Sequence, residues 1–392
     1  MNLLLITNLF PPQELGGYGR SMGDFAWGLQ QRGHSITILT SDAPYLEKNI
    51  KYKDNYNSTM TTSRDLQLKG SFENGISICI NNSKNQVTDN KNINVIKKII
   101  NTQSFDGVIL GNIDMLGLEI LSPLLATGLP VYHHLGFVEP PYESKYYPKK
   151  GNYQVVAASY AVRKTAVEHG WPIEDAPVIY PGARCDLLGS DQLKRSLPNP
   201  LGISFTSNSK PLGSIYNPLK ICFAGLIIDS KGVRTLAEAI ILLRDEGVHT
   251  YTSFAGNPYQ ESYVKGIEEL LIHYNLKDQV IFLGHLDREQ LARFYLLNHV
   301  AVFPSIYPEA FGIVAAEAMA SGLVLVSSGI GGASELFEDG ISGLSFQPDN
   351  AESLANVLHQ LVLWPSNRIK DIAQAGQIRV RKSFSIVKGA EQ

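Results

Sequence analysis

Two glutamates, Glu309 and Glu317, stand eight residues apart in the run Pro304-Ser305-Ile306-Tyr307-Pro308-Glu309-Ala310-Phe311-Gly312-Ile313-Val314-Ala315-Ala316-Glu317-Ala318-Met319. An apolar stretch precedes the run, and its second half has the composition of a helix. The first N–H groups of a helix lack intrahelical acceptors and the dipole is positive there, so Phe311, Gly312, Ile313 and Val314 would meet an anion such as a phosphate. At the mouth, beside Ala310, the Glu309 carboxylate is placed to accept hydrogen bonds from sugar hydroxyls. Glu317 sits among Val314, Ala315, Ala316, Ala318 and Met319, where a solvated face explains a charge poorly. Its two oxygens suit a ribose diol. The plain alternative is a helix with one glutamate at its start and another on its surface.

Gly225-Leu226-Ile227-Ile228-Asp229-Ser230-Lys231-Gly232 closes a second apolar stretch and presents a lysine just before a helix. An ammonium in that position neutralises a departing diphosphate, although a solvent-exposed turn lysine has the same pattern. Paired glycines occur in Pro11-Pro12-Gln13-Glu14-Leu15-Gly16-Gly17-Tyr18-Gly19-Arg20, where backbone N–H groups can approach a diphosphate closely. Gly17, Gly19 and Gly23, with Asp42 beyond them, also form a near dinucleotide fingerprint. Nine residues, two of them prolines, separate Thr7 from Gly17, whereas a dinucleotide loop starts at the end of its strand. Tyr132-His133-His134-Leu135-Gly136 follows another apolar run. Adjacent side chains on an extended segment point opposite ways, so one histidine is expected to be structural and a metal pair is disfavoured. No Asp-x-Asp pair occurs to hold a divalent cation on a diphosphate, and no Gly-x-x-x-x-Gly-Lys loop suggests ATP hydrolysis.

These loops need elements to hold them. Leu3–Thr7 is an apolar run; Met22, Phe25, Ala26 and Leu29 then recur at helical spacing, and Ile36–Leu39 follows as a second run. That is a βαβ unit, which implies a parallel sheet. Strand-like runs return at 107–110, 130–132 and 154–158, then at 220–225, 251–255, 280–283, 300–303 and 323–327. The expected architecture is α/β, two Rossmann-like, doubly wound parallel-sheet domains facing a shared cleft. The first would span 1–188 and carry a polar, surface-exposed insertion at about 47–104. A linker would cover 189–218 and a second domain 219–375. A tail, 376–392, would return toward the first domain.

Composition agrees with a packed protein: 44% of the 392 residues are hydrophobic and 18% charged. Net charge is −3, with neither half basic enough for a nucleic-acid partner. Cys79, Cys185 and Cys222 are too sparse for a disulfide framework or a zinc site and fit a reducing, cytoplasmic setting. The opening residues lack the basic start of a signal peptide, and no run of about 20 apolar residues would span a membrane. Peripheral contact with a membrane surface stays open.

In order along the chain, these segments resemble the retaining family-4 glycosyltransferases of GT-B fold. Glu309 and Glu317 match the family's Glu-x7-Glu element. Val280-Ile281-Phe282-Leu283-Gly284-His285-Leu286 is similar to the loop that meets the nucleobase, and Gly329–Glu335 to the turn after the next strand. Ala157-Ala158-Ser159 and Val178–Gly182 resemble the end of the first domain. The resemblance implies transfer of a hexose, with retention, from a nucleotide diphosphate sugar such as UDP-glucose to a saccharide or lipid-linked acceptor in polysaccharide biosynthesis. It implies no metal and no cofactor, with the enzyme in the cytoplasm or at the inner membrane surface. Donor contacts would come from Gly16, Gly17, Gly225, Lys231, Gly284, His285, Leu286, Glu309, Ala310, Phe311, Gly312, Ile313, Val314 and Glu317. Lys231, Glu309 and a histidine on the transferring sugar, assigned to His134 with His133 as alternative, would carry catalysis. Leu226 stands where the family usually has an arginine, and Arg20 or Arg234 are the candidates to replace it. A nucleotide-sugar epimerase and a nucleotide-sugar-binding protein without transferase activity share this architecture.

Overall fold

Runs of Leu, Ile and Val too short for a buried helix become strands covered on both faces. The computed structural model describes residues 1–17, 19–46, 60–73, 76–79, 85–149, 151–189 and 210–392. They group into two units, Met1–Pro181 with Ile386–Gln392, and Gly182–Ser385.

In the first unit the chain runs β1 (Asn2–Ile6), α1 (Arg20–Gln31), β2 (Ser35–Ser41), β3 (Thr61–Leu66), β4 (Gly70–Glu73), β5 (Ile76–Cys79), α2 (Asn85–Thr102), β6 (Gly107–Leu110), α3 (Leu121–Ala126), β7 (Val131–Leu135), β8 (Tyr153–Ala157) and α4 (Tyr160–Glu168). Six strands form one parallel sheet in the order β3-β2-β1-β6-β7-β8, and β4-β5 is a separate antiparallel pair. Leu3, Leu5, Ile36 and Ile38 pack beneath Met22, Phe25 and Ala26 of α1.

The second unit repeats the plan: β9 (Leu219–Ala224), α5 (Val233–Asp245), β10 (Thr250–Ala255), α6 (Glu261–His273), β11 (Val280–Gly284), α7 (Arg288–Leu296), β12 (Val300–Phe303), α8 (Ile313–Ala320), β13 (Val324–Ser327), β14 (Leu344–Ser345), α9 (Ala351–Leu363) and α10 (Ser366–Ser383). Its six-stranded parallel sheet has the order β11-β10-β9-β12-β13-β14. Leu219, Ile221, Phe223, Val300, Val302, Val324 and Val326 form a core with Leu236 and Ile240 of α5 and Leu354 and Leu358 of α9. Each such side chain contributes about 1.5–3 kcal/mol by leaving water. No helix of the described residues is long and apolar enough to cross a membrane.

Three organisational expectations change. The polar region 47–104 is not a surface insertion where it is described: β3 extends the sheet, and α2 buries Ile96 and Asn92. The Asn92 amide donates to the carbonyls of Gln67 and Leu116 and accepts from the Gln67 N–H, so a polar residue does the joining there. Residues 47–59 lie outside the described residues. The boundary falls at Pro181–Gly182, ahead of the expected 188, because Ala183 N–H donates to Phe384 O and Arg381 donates to Leu188 O. Of the linker 189–218, residues 190–209 lie outside the described residues. Its remainder packs in the second unit, with His249 N–H donating to Gly213 O. From Ile386 the chain belongs to the first unit, where α11 (Ile386–Glu391) crosses α1. Gly28 and Gly389 permit that crossing, since a Cβ on residue 28 would come within 2.9 Å of Ala390 Cβ and one on residue 389 within 2.9 Å of Tyr180 O.

Candidate active site

In the second sheet the chain leaves β9 toward β10 on one side, while β12 and β13 lie on the other. Loops after β9 and β12 therefore diverge, opening a crevice at the strand C-termini. The lysine loop enters it from β9, with Gly225 N–H on Ala255 O at 2.9 Å and Ile227 N–H on Asn257 O at 3.2 Å. Gly232 ends that loop in the left-handed region (φ 66°), where a Cβ would lie 1.9 Å from Pro304 O. Only glycine lets the lysine loop lie this close to the segment after β12. Ile306 N–H donates to Ser230 O at 3.0 Å and ties the two loops together.

Glu309 comes from the other side. Its N–H donates to Ile330 O, and its carbonyl accepts from Gly332 N–H at 2.7 Å. A Cβ at Gly331 would meet Glu309 O at 2.5 Å, so the 329–332 turn is pressed against the glutamate. Held in this way, Glu309 Oε1 lies 2.5 Å from Lys231 Nζ. Ser305 Oγ donates to the same oxygen. The lysine and glutamate side chains keep 27% and 15% of their exposure, enough to meet a ligand and little enough to limit screening by water.

Two helices begin at this crevice, α5 behind Gly232 and α8 behind Gly312, and neither has a side-chain cap. Elsewhere α4 is capped by Ser159, α7 by an Asp287–Gln290 capping box and α9 by Asn350. Glycine caps leave the first N–H groups of α5 and α8 without a side-chain acceptor of their own, a setting for an anion. The rear of α8 is fixed, because Ala320 O accepts from Gln377 Nε2 at 2.9 Å and from Arg381 at 3.2 Å.

The other expected donor residues of this unit fall around that pair. Ile313 and Val314 form the first turn of α8 and are half-buried, as is Ala310. Phe311 is buried against Phe384, centroids 5.8 Å apart. Glu317 lies further along α8 at 2% exposure. Gly284 ends β11, the edge strand, and His285 and Leu286 follow it, with His285 exposed and Gly284 O accepting from Gly256 N–H. Arg234 is ion-paired with Glu238 along α5 at 2.8 Å, and Glu238 raises its pKa, so it is already engaged beside the helix start. Leu226 is half-buried. Ser305 and Ser328, whose Oγ donates to Ser305 O at 2.7 Å, were missed by sequence reasoning. A serine after a proline has no spacing that announces such a role.

The first unit has its own switch point, between β1 and β6. Gly16 and Gly17 are exposed there, ahead of α1, which Gly19 caps without a side-chain bond. Asn8 holds the crevice floor, donating to Asp114 Oδ1 at 2.9 Å. Asp42, the acid a dinucleotide reading would reserve for a ribose, accepts from Gln13 Nε2 at 2.8 Å.

Both histidines, of which one was expected to be structural, are buried inside this unit. β7 is an interior strand with β6 and β8 beside it, and all its residues but the exposed Tyr132 are buried. His133 Nδ1 meets Tyr153 OH at 2.6 Å, and burial with the neighbouring His134 pushes its pKa down to about 3. His134 Nε2 meets Ile179 O at 2.9 Å and its ring meets Phe25 edge-on; burial pushes its pKa to about 4. Nε2 must therefore carry the proton, and Nδ1 has no hydrogen-bond partner among the described residues. At 6% exposure His134 is placed as a core residue of β7. Among the described residues no group of three or more His, Cys, Asp or Glu side chains is arranged to hold a metal.

Two doubly wound sheets of identical strand order, with a lysine–glutamate pair and glycine-capped helices at the second switch point, define the GT-B fold of glycosyltransferases. Residues 204–378 match the family model of the glycosyl transferases group 1. An uncharacterized glycosyltransferase of Methanocaldococcus jannaschii is 33% identical over 135 residues, 34% of this chain and 33% of that protein. The chain matches between about 33% and 40% of the length of such curated relatives. A glycosyltransferase from Rickettsia africae superposes with a TM-score of 0.75 at 21% identity, covering 100% of this chain and 96% of the other. Anabaena HepE, solved in complex with UDP and glucose, superposes at 0.73 with 18% identity, covering 100% and 98%.

Proposed function

We propose that the protein transfers a hexose, glucose first among candidates, from a nucleotide diphosphate sugar to a saccharide or lipid-linked acceptor, with retention and without a metal. The observation that carries this is the Lys231–Glu309 pair at 2.5 Å between two uncapped helix starts. Glu309 occupies, with its own carboxylate, the cation that a diphosphate would claim. When the donor arrives, Lys231 and the first amides of α8 take the diphosphate, and the Glu309 carboxylate accepts from the sugar hydroxyls. Glu317 takes the ribose diol. The glycosidic bond then breaks toward the held diphosphate, whose charge the ammonium and the amides stabilise in place as it develops. The acceptor attacks on the face the diphosphate leaves. UDP-glucose is the first donor to try, since HepE, which has the same fold, is solved with UDP and glucose. Polysaccharide assembly, in the cytoplasm or at the inner membrane surface, is the setting we assign.

The test is release of nucleoside diphosphate and formation of a glycosylated product from UDP-glucose, ADP-glucose and GDP-mannose with a saccharide panel. Turnover that survives EDTA and falls in Lys231→Ala supports the reading; EDTA-abolished transfer removes its metal-free part. Leu226 in place of an arginine, with Arg234 held by Glu238, favours one second reading, a nucleotide-sugar-binding protein that does not transfer. Calorimetric donor binding without diphosphate release would select it.

A further inference from the structure

Ser305 is the residue at this crevice whose role neither the family match nor the ion pair explains. It follows β12 directly and is only 1% exposed. Ser328 Oγ donates to its carbonyl at 2.7 Å, and Ser328 N–H donates to Phe303 O at 3.2 Å, so Ser305 is rooted in the β12–β13 pair. Its hydroxyl donates to Glu309 Oε1. Lys231 reaches the same oxygen, and among the described residues every hydrogen bond to this carboxylate goes to Oε1. Oε2 accepts no hydrogen bond among the described residues and is the oxygen left for a ligand. The two holds differ in what a ligand can do to them. A diphosphate competes for the half-exposed ammonium, but it cannot reach a hydroxyl buried behind the glutamate.

We infer that Ser305 is a positioning residue for the donor's sugar: it keeps Glu309 in its sugar-facing rotamer once the diphosphate has drawn Lys231 away. The inference rests on the proposed donor site and adds to it the group that fixes sugar recognition separately from phosphate recognition. A hydrogen bond to a charged acceptor changes affinity by about tenfold when lost. That loss is confined to ligands carrying the sugar.

The experiment compares the full chain with Ser305→Ala and Ser305→Thr, measuring calorimetric affinity for UDP-glucose and for UDP alone. Whichever nucleotide sugar the wild type turns over best, with its nucleoside diphosphate, replaces them if UDP-glucose is not the donor. Ser305→Ala is expected to bind the nucleotide sugar about tenfold more weakly and the nucleoside diphosphate within about twofold of wild type. Ser305→Thr, which retains the hydroxyl, recovers most of the difference. In a Glu309→Ala background, Ser305→Ala adds nothing, because the group it positions is gone. Should Ser305→Ala not fold, Ser305→Cys, close in size and a weak donor, carries the same comparison. Equal losses for both ligands, no loss at all, or additive losses with Glu309→Ala overturn the inference while the donor site stands. A wild type that binds none of the nucleotide sugars overturns the inference and the proposed function together.

Discussion

At the C-terminal ends of β9 and β12 the chain sets a lysine, a glutamate and a buried serine within one hydrogen-bonded cluster, between two glycine-capped helices. At the same place in the first unit, between β1 and β6, it sets exposed glycines and an asparagine–aspartate contact, with the titratable histidines sunk in the strand beyond. Both sheets have the same strand order, so topology provides two crevices and not two equivalent sites. A partly exposed lysine–glutamate pair marks the second. In the first, the polar side chains around the glycine loop are tied to each other, Asn8 to Asp114 and Gln13 to Asp42.

The sharpest way to break this contrast is to remove charge from each crevice in turn. Lys231→Ala and Glu309→Ala should each lower kcat by about 100-fold or more with melting temperature little changed, whereas Asp114→Ala should leave kcat near wild type. Steady-state rates beside thermal melts decide it, and comparable losses from both crevices would refute the distinction.

Acid should discriminate next. Burial lowers the pKa of His133 to about 3 and of His134 to about 4, so between pH 6.5 and these values the folded chain binds fewer protons than the unfolded one. Stability is full above pH 6.5 and is lost as pH falls toward 4, by roughly 3 kcal/mol for one such histidine. The second unit has a similar group in His299, pushed to about 4 by burial and Lys220, so hydrogen exchange should show the first unit loosening more steeply. His134→Gln should flatten that slope.

Smaller effects test the helix starts. Gly19→Ala places a Cβ 2.9 Å from Leu9 O at a positive φ and should cost the first unit about 1–2 kcal/mol in chemical denaturation. Ser159→Ala removes the α4 cap and should cost about 1 kcal/mol with donor affinity unchanged. A shift in affinity there would mean that side-chain-capped helices also serve the ligand.

Strands made of unbroken apolar residues could be read directly: 107–110 and 300–303 match β6 and β12 to the residue. β3 could not, because an edge strand reading Thr-Thr-Ser-Arg-Asp-Leu needs little apolar surface. Its arginine, Arg64, turns inward instead and donates to Phe10 O and Pro11 O, holding the start of the glycine loop. α2 was hidden for a related reason, since Asn92 joins it to the fold by hydrogen bonds that leave no hydrophobic period. Lys231 and Glu309 were legible because strand, loop and helix follow each other in sequence, yet their direct contact spans 78 positions and no local pattern encodes it. The two histidines could not be told apart in the sequence because alternation along a strand says which way side chains point, not whether each side is covered.

The passage of the last helix back to the first unit bears on how the protein is made. Emerging from a ribosome, residues 1–181 precede the whole second unit, yet Ile386, which joins the cluster of Phe25 and Ala26, follows it. The second unit can finish folding while α1 still lacks the cover that Ile386, Gly389 and Ala390 give it around Phe25 and Gly28. Birth order and completion order are reversed, so a chain stalled before Ile386 would carry a finished second unit and an unfinished first one.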